Sequence, residues 1–300
     1  MTRKENNIVL FSITLCWASS YIFIKDLPDD LSSYAYLTLT TGIAAIILVV
    51  IFIKQLLKTD KAAIIRSFIL ALLTAGDLLA EKVALTTLPS SNASFIASLN
   101  IIFVPLILLL HHQKLSKNNK MGIMVILLGI FITANFSIKS FMNTGTFYMI
   151  TGCLLIAVYT VVAADFTKKS DPLILGVMQI VFTAIIGFVL WFIEDPATFK
   201  TINYDKQMLS SIFILAFFTK AYAYIMLMYS QKYASALSVT IIASSEPIVT
   251  LGLALLIPNA FGQTESFHAR SFAGAICIAI GAIIAGTDFL NKRKSSEVLN

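Results

Sequence analysis

The chain has 300 residues, of which 58% are hydrophobic and only 13% charged, with a mean hydropathy of +0.85. A soluble domain of this size cannot hide so much apolar surface, so the composition excludes a water-soluble enzyme and implies a membrane protein. The net charge of +6 does not point to nucleic acid, because the lysines and arginines gather at the ends of apolar runs, where they set topology.

Ten apolar runs follow one another, each near the ~20 residues a helix needs to cross a hydrocarbon core of ~30 Å. The first, 7–25, follows Arg3 and Lys4. No small-x-small cleavage site comes after it, and Trp17 and Lys25 interrupt it, so it reads as a retained helix and not a signal peptide. After "LPDDLSS" comes 33–54, then 64–86 with Asp77, Glu81 and Lys82, and "TTLPSSN" leads into 91–110, which carries Asn100. The next two are 120–137 and 146–165, the latter with Tyr159. In "KKSDP", Asp171 is placed to cap a helix that opens at Pro172 and fills 172–193. The last three are 208–229 with Lys220 and Tyr224, 235–257 with Glu246, and 269–288.

With the N-terminus in the cytoplasm, the inner segments hold fifteen Lys and Arg and the outer segments six, and Lys220, within the eighth span, belongs to neither set. That asymmetry obeys the positive-inside rule and places both termini in the cytoplasm. Cys16, Cys153 and Cys277 each lie inside a span and read as packing residues, not a disulfide framework or metal cluster.

The chain also repeats itself. "MGIMVILLGIFITAN" (121–135) overlays "AGAICIAIGAIIAGT" (273–287), pairing Gly122 with Gly274 and Gly129 with Gly281. Glycines seven residues apart share a helix face and make a smooth stripe for close packing. "SNASFIASLNIIF" (91–103) overlays "LSVTIIASSEPIV" (237–249), pairing Ser98 with Ser244 and Asn100 with Glu246, and "WASSYIFIK" (17–25) overlays "AVYTVVAAD" (157–165). The register offset grows from 140 to 146 to 152, which places six-residue insertions in "EDPATFKTINYDKQ" and "PNAFGQTESFHA". Halves of five helices each, 1–140 and 141–300, start on opposite sides of the membrane, so the repeats are inverted, the usual architecture of alternating access. The expected fold is therefore all-α and integral to the membrane, with ten transmembrane helices in two inverted five-helix repeats.

In "WASSYIFIK", "SNASFIASLNIIFVPL" and "SSEP", and in their order and duplication along the whole chain, the sequence resembles the EamA-type ten-helix members of the drug/metabolite transporter superfamily. The resemblance implies helices 1, 3, 4, 6, 8 and 9 around a central cavity, helices 5 and 10 outside it, and movement of small metabolites, often amino acids, without ATP. The chain departs from the family after helices 4 and 9, where "HHQKLS" and "PNAFGQTESFHA" replace a common Gly-Glu followed by basic and small residues.

Asp77, Asn100, Lys220 and Glu246 fall near one depth, roughly 16 to 18 Å inside their spans. Charge there is costly unless paired or hydrated, which marks these residues as candidates for substrate binding. On an offset of 146, Asp77 matches Ala223 and Lys220 matches Thr74, so the two charges lie on adjacent turns of related helices. In one reading Lys220 attracts a carboxylate while Asp77 or Glu246 receives an ammonium or a coupling proton. In the other, Lys220 forms an ion pair with Asp77 or Glu246 that only holds the bundles together. Pro247 lacks an amide and should kink its helix, leaving the Ala243 carbonyl free beside Glu246.

Aromatic candidates for the cavity wall are Trp17, Tyr159 and Tyr224. Thr14, Trp17, Tyr21 and Lys25 share one face of the first helix. Glu81 and Lys82 read as solvated entrance residues. His111 and His112 point to different faces, no metal site is expected, and no cofactor or catalytic motif appears.

The sequence thus reads as a multi-pass secondary transporter of the cell (inner) membrane that is not an enzyme. Its partners are a small-molecule substrate, membrane lipid and candidate coupling protons, with no nucleic acid, and it is a monomer or homodimer. An organic-anion carrier built on Lys220 and an integral membrane lipid-modifying enzyme are the competing readings.

Overall fold

The computed structural model describes residues 1–28, 30–112, 115–133, 143–258, 264 and 268–286. Most of "PNAFGQTESFHA", the ends of the fifth and tenth predicted spans, and Lys114, Lys139, Lys292, Arg293 and Lys294 lie outside the described residues.

The described residues form helices and contain no strand. In chain order these are α1 (Arg3–Lys25), α2 (Ser33–Leu56), α3 (Lys61–Leu85), α4 (Ser90–Ala97), α5 (Asn100–Leu110), α6 (Lys117–Thr133) and α7 (Thr144–Phe166). There follow α8 (Pro172–Glu194), the single turn α9 (Thr198–Thr201), α10 (Lys206–Ile214), a π-helical segment (Leu215–Tyr222), α11 (Ala223–Tyr233), α12 (Ala236–Ala243), α13 (Glu246–Leu256) and α14 (Ala269–Gly286). Eight continuous stretches are long and apolar enough to span a membrane, with α4–α5, α10–α11 and α12–α13 each counting as one. The fifth and tenth predicted spans correspond to α6 and α14, 17 and 18 residues long.

Short polar side chains start the helices by accepting from otherwise unsatisfied first-turn amides, each such cap being worth ~1 kcal/mol. Asp171 accepts from Leu173 N at 2.8 Å with Pro172 opening α8, as its sequence predicts. Asp60 caps α3 through Ala63 N, and Asp205 caps α10 through Met208 N.

Those two aspartates stand 145 residues apart, and so do "FILALLT" (68–74) and "FILAFFT" (213–219). The helices that follow, α4 and α12, start 146 residues apart. One extra residue has entered the second repeat, and the π segment, where Ala223 N bonds back to Phe218 O, is where a helix absorbs such an insertion. Up to that segment the register is therefore 145 and not 146, so Lys220 corresponds to Ala75.

Sidedness follows from contacts between helix ends. On one face, Lys25 Nζ donates to the carbonyls of Leu85 and Leu88 at 3.3 and 3.0 Å, and Thr87 Oγ1 donates to Asn143 Oδ1 at 3.0 Å. On the other, Arg66 donates to Lys169 O and Ser170 Oγ at 3.1 and 2.6 Å and lies over the Phe166 ring. Lys25 thus serves the C-terminal end of α3, as a cation at a helix C-terminus should, and leaves the face it shares with Trp17 and Tyr21. The first of the two predicted insertions folds back onto α8: Phe199 stacks on Trp191 at 3.9 Å, and Trp191 Nε1 donates to Thr198 Oγ1.

The glycine stripes pack against each other. A Cβ added at Gly129 would lie 2.7 Å from Gly274 O, and one at Gly281 would lie 2.7 Å from Gly122 O. Pairing Gly122 with Gly281 and Gly129 with Gly274 makes α6 and α14 antiparallel, their backbones in direct contact.

Candidate functional site

Two breaks position the site. Between α4 and α5 the chain passes through Ser98 and Leu99, and between α12 and α13 through Ser244 and Ser245. All four residues have ψ between −9 and −14°, and bonds such as Ile101 N to Ser98 O and Ile248 N to Ser245 O span three residues, so each break is a tight 3₁₀-like turn. The serines bond back to their own helices, Ser98 Oγ to Ser94 O, Ser244 Oγ to Ile241 O and Ser245 Oγ to Ile242 O. Pro247 is not the common cause, because the symmetry-related break carries Ile101 there. Its missing amide falls in the first turn of α13, where no intrahelical bond is due. In place of the expected proline kink, both related spans carry a 3₁₀-like turn that leaves Asn100 and Glu246 each as the first residue of a helix.

These residues face a cavity of about 80 Å³, room for roughly five waters at ~15 Å³ each. The spans that line it are α1, α3, α4–α5, α7, π–α11 and α12–α13; α6 and α14 contribute nothing to its wall. Trp17, Asp77, Asn100, Lys220, Tyr224 and Glu246 all line it. Tyr159 does not. It stands one layer behind, fully buried, its hydroxyl donating to Gln179 Oε1 at 3.2 Å and its ring edge-on to Tyr224 at 6.1 Å. Trp17 meets the same Tyr224 ring at 5.9 Å, so the three aromatics form a continuous packed set on the Arg66 side of the charges.

Glu81 and Lys82 correct the expectation of solvated entrance residues: they are 9% and 4% exposed. The last turns of α3 are covered by α1, which docks through Lys25, and by α7, whose Gly145 lies against Ala84 and Thr87. Glu81 lines the cavity one turn from Asp77, and Ser20, whose hydroxyl donates to Trp17 O at 2.7 Å, lines it too. The i, i+4 spacing of Asp77 and Glu81 was the available signal.

Lys220, in the π segment, is 2% exposed, and among the described residues no carboxylate oxygen lies within 4.0 Å of its Nζ. The ammonium sits 5.7 Å from the centre of the Tyr36 ring, and the carboxylates whose charges act on it are Glu81 and Asp77. Glu246 faces the same cavity, whose wall also includes Tyr21. With three carboxylates and one ammonium, the cavity carries a formal excess of two negative charges, which a bound cation, a proton or an ammonium group offsets.

Two residues of α7 shape the site from behind. Cys153 Sγ donates to Ala97 O at 3.1 Å, at the end of α4 beside the break. Gly152 leaves room for Asp77, whose Oδ1 would lie 3.0 Å from an added Cβ. Gly152→Ala should therefore push the carboxylate aside and weaken solute binding several-fold, measured by ligand titration, while leaving the thermal midpoint within a few degrees of wild type.

The family model for EamA-like transporters matches residues 6–135 and, a second time, residues 143–287. The chain belongs to the EamA-like transporter family. It is a multi-pass membrane protein of a family of transporters, which makes a small-molecule substrate and a lipid environment its setting. A solved crystal structure of a protein 15% identical to it superposes with a TM-score of 0.74 over 97% of this chain and 99% of that one, a likeness in fold alone. No curated protein matches the chain.

Proposed function

We propose that this EamA-like transporter is a secondary carrier of a small polar metabolite, an amino acid or related amphiphile, working by alternating access across the inner (cell) membrane. Ten transmembrane helices, in inverted repeats 1–140 and 141–300 with both termini cytoplasmic, provide the two exchangeable arrangements. The antiparallel α6–α14 pairing and the matched breaks support this arrangement. The observation that carries the substrate reading is the cavity between the repeats, which offers a buried, unpaired ammonium for a carboxylate and three carboxylates for an ammonium. Trp17, Tyr21 and Tyr224 supply an aromatic wall. Purified protein should therefore be stabilised against heat by amino acids in a metabolite screen. Stabilisation by organic anions alone would favour the carrier reading built on Lys220, and consumption of a lipid without transport would overturn both.

The reading includes proton coupling, with Asp77 and Glu246 as the candidate carriers. The titratable groups around Asp77 are Glu81 on its own helix, Lys220 and Tyr224 on π–α11, Glu246 on α13, Tyr21 on α1, Tyr36 on α2, and Cys153 and Tyr159 on α7. Asp77→Asn in liposomes is expected to lose accumulation driven by a pH gradient, by about tenfold or more, while solute exchange without a gradient persists. Full pH-driven accumulation in both Asp77→Asn and Glu246→Gln would remove protons from the mechanism.

A further inference from the structure

The two acids have different surroundings. Beside the main cavity lies a smaller chamber of about 30 Å³ where the two chain breaks meet. Its wall consists largely of residues related by the repeat: Ala97 with Ala243, Ser98 with Ser244, and Asn100 with Glu246, joined by Ile101 and Thr240. The chamber therefore sits where the internal symmetry axis of the two halves must pass, and exchanging the roles of the repeats would leave it in place.

Its three hydroxyls are one-sided. Ser98 Oγ donates to Ser94 O at 3.1 Å, Thr240 Oγ1 to Ala236 O at 3.0 Å and Ser244 Oγ to Ile241 O at 2.6 Å. Each hydroxyl hydrogen is thus already used inside its own helix, and only lone pairs remain for the chamber. Asn100 Oδ1 is buried and has no hydrogen-bond partner. Glu246 brings a carboxylate that, among the described residues, has no lysine or arginine nitrogen within 4.0 Å. A water molecule donates as well as accepts and leaves one negative charge uncompensated. A hard cation with a single charge satisfies several oxygens at once and neutralises the carboxylate.

We propose that the chamber between the two broken helices is a binding site for a monovalent metal cation, sodium, held by the Glu246 carboxylate and Asn100 Oδ1 with the Ser98, Thr240 and Ser244 hydroxyl oxygens as further ligands. The donors are oxygens and only one of them is a carboxylate, so a hard ion of single charge is the class that fits. A sodium ion at the symmetry axis ties the same two helix breaks together in either arrangement of the repeats and links its own binding to theirs. Glu246 and Asn100 line both spaces, so the sodium site adjoins the solute's.

The test is thermal unfolding of the purified full chain at pH 8 in choline chloride, with sodium replacing choline at constant ionic strength and no solute added. A saturable rise of the unfolding midpoint with sodium is expected, retained in Asp77→Asn and lost in Glu246→Gln and in Asn100→Ala. Ser244→Ala keeps the charge and the fold while removing one ligand oxygen, and should raise the half-saturating sodium concentration about threefold or more. Direct binding of radioactive sodium to the same proteins covers any variant that folds poorly. Equal midpoints in sodium and choline overturn the proposal, as does a sodium response that survives in both Glu246→Gln and Asn100→Ala. A midpoint that responds to pH and not to sodium assigns the chamber to a proton and overturns it equally. Because no solute is present, a missing sodium response says nothing against solute transport, and a failed solute screen says nothing against the sodium site.

Discussion

Lys220→Met is expected to abolish solute transport and to raise the unfolding midpoint. The two effects have one origin. Lys220 is 2% exposed, its ammonium lies 5.7 Å from the centre of the Tyr36 ring, and among the described residues no carboxylate pairs with it within 4.0 Å. A buried charge without a contact partner costs several kcal/mol, and an apolar side chain of similar length relieves that cost. Truncating one side of a desolvated charge pair with a ligand costs ~2–5 kcal/mol, or about 30-fold and upward in affinity. Solute affinity and stability should therefore move in opposite directions. A scaffold ion pair with Asp77 predicts the reverse: a large loss of stability in Lys220→Met that Asp77→Asn restores in the double variant, because removing one partner of a buried pair strands the other. Unfolding midpoints of the two single variants and the double variant, with solute exchange in liposomes on each, separate the two roles.

Much of this site is legible in the sequence because its main signals are rare events. A charge in the middle of an apolar run is one, which is why Asp77, Lys220 and Glu246 stand out against residues such as Leu78 and Ala221. Gly129 and Gly281 stand out because each follows another glycine, Gly122 or Gly274, by seven residues. What the sequence hides is lateral. Glu81 lies near the end of an apolar run, where a hydropathy reading expects solvent, yet α1 and α7 cover it, and nothing local to 78–85 encodes that cover. Tyr159 has the depth of a cavity residue but points one layer back to Gln179 on α8, a partner that nothing local to α7 encodes. The π segment is visible only when both repeats are compared. "FILALLT" and "FILAFFT" share one register, the next helices share another, and the residue between the registers widens the helix that carries Lys220. Cys153 looks like packing and proves to donate to Ala97 O beside the chain break, a bond that depends on where α7 crosses α4.

The second large effect is expected at a place with no polar chemistry. Gly129→Leu should lower the unfolding midpoint severely, by the equivalent of ~3 kcal/mol or more, the upper range of overpacking. The reason is what the new side chain meets. An added Cβ at 129 lies 2.7 Å from Gly274 O and 2.9 Å from Ile278 N, both backbone atoms of α14, so no side chain can turn aside to admit it. Gly281→Leu faces Gly122 O and Ile126 N, each at 2.7 Å, and should behave alike. Gly252 is the control: nothing lies within 4 Å of an added Cβ there, so Gly252→Ala leaves the midpoint unchanged or slightly raised, as replacing a helical glycine generally does. Since neither α6 nor α14 lines the cavity, the fraction of Gly129→Leu that remains folded should bind solute within about twofold of wild type. A collapse of affinity with an intact midpoint would mean that the α6–α14 pair does not merely join the two halves but sets the spacing of the breaks at Ser98 and Ser244. The glycine stripe would then belong to the transport cycle as well as to the fold.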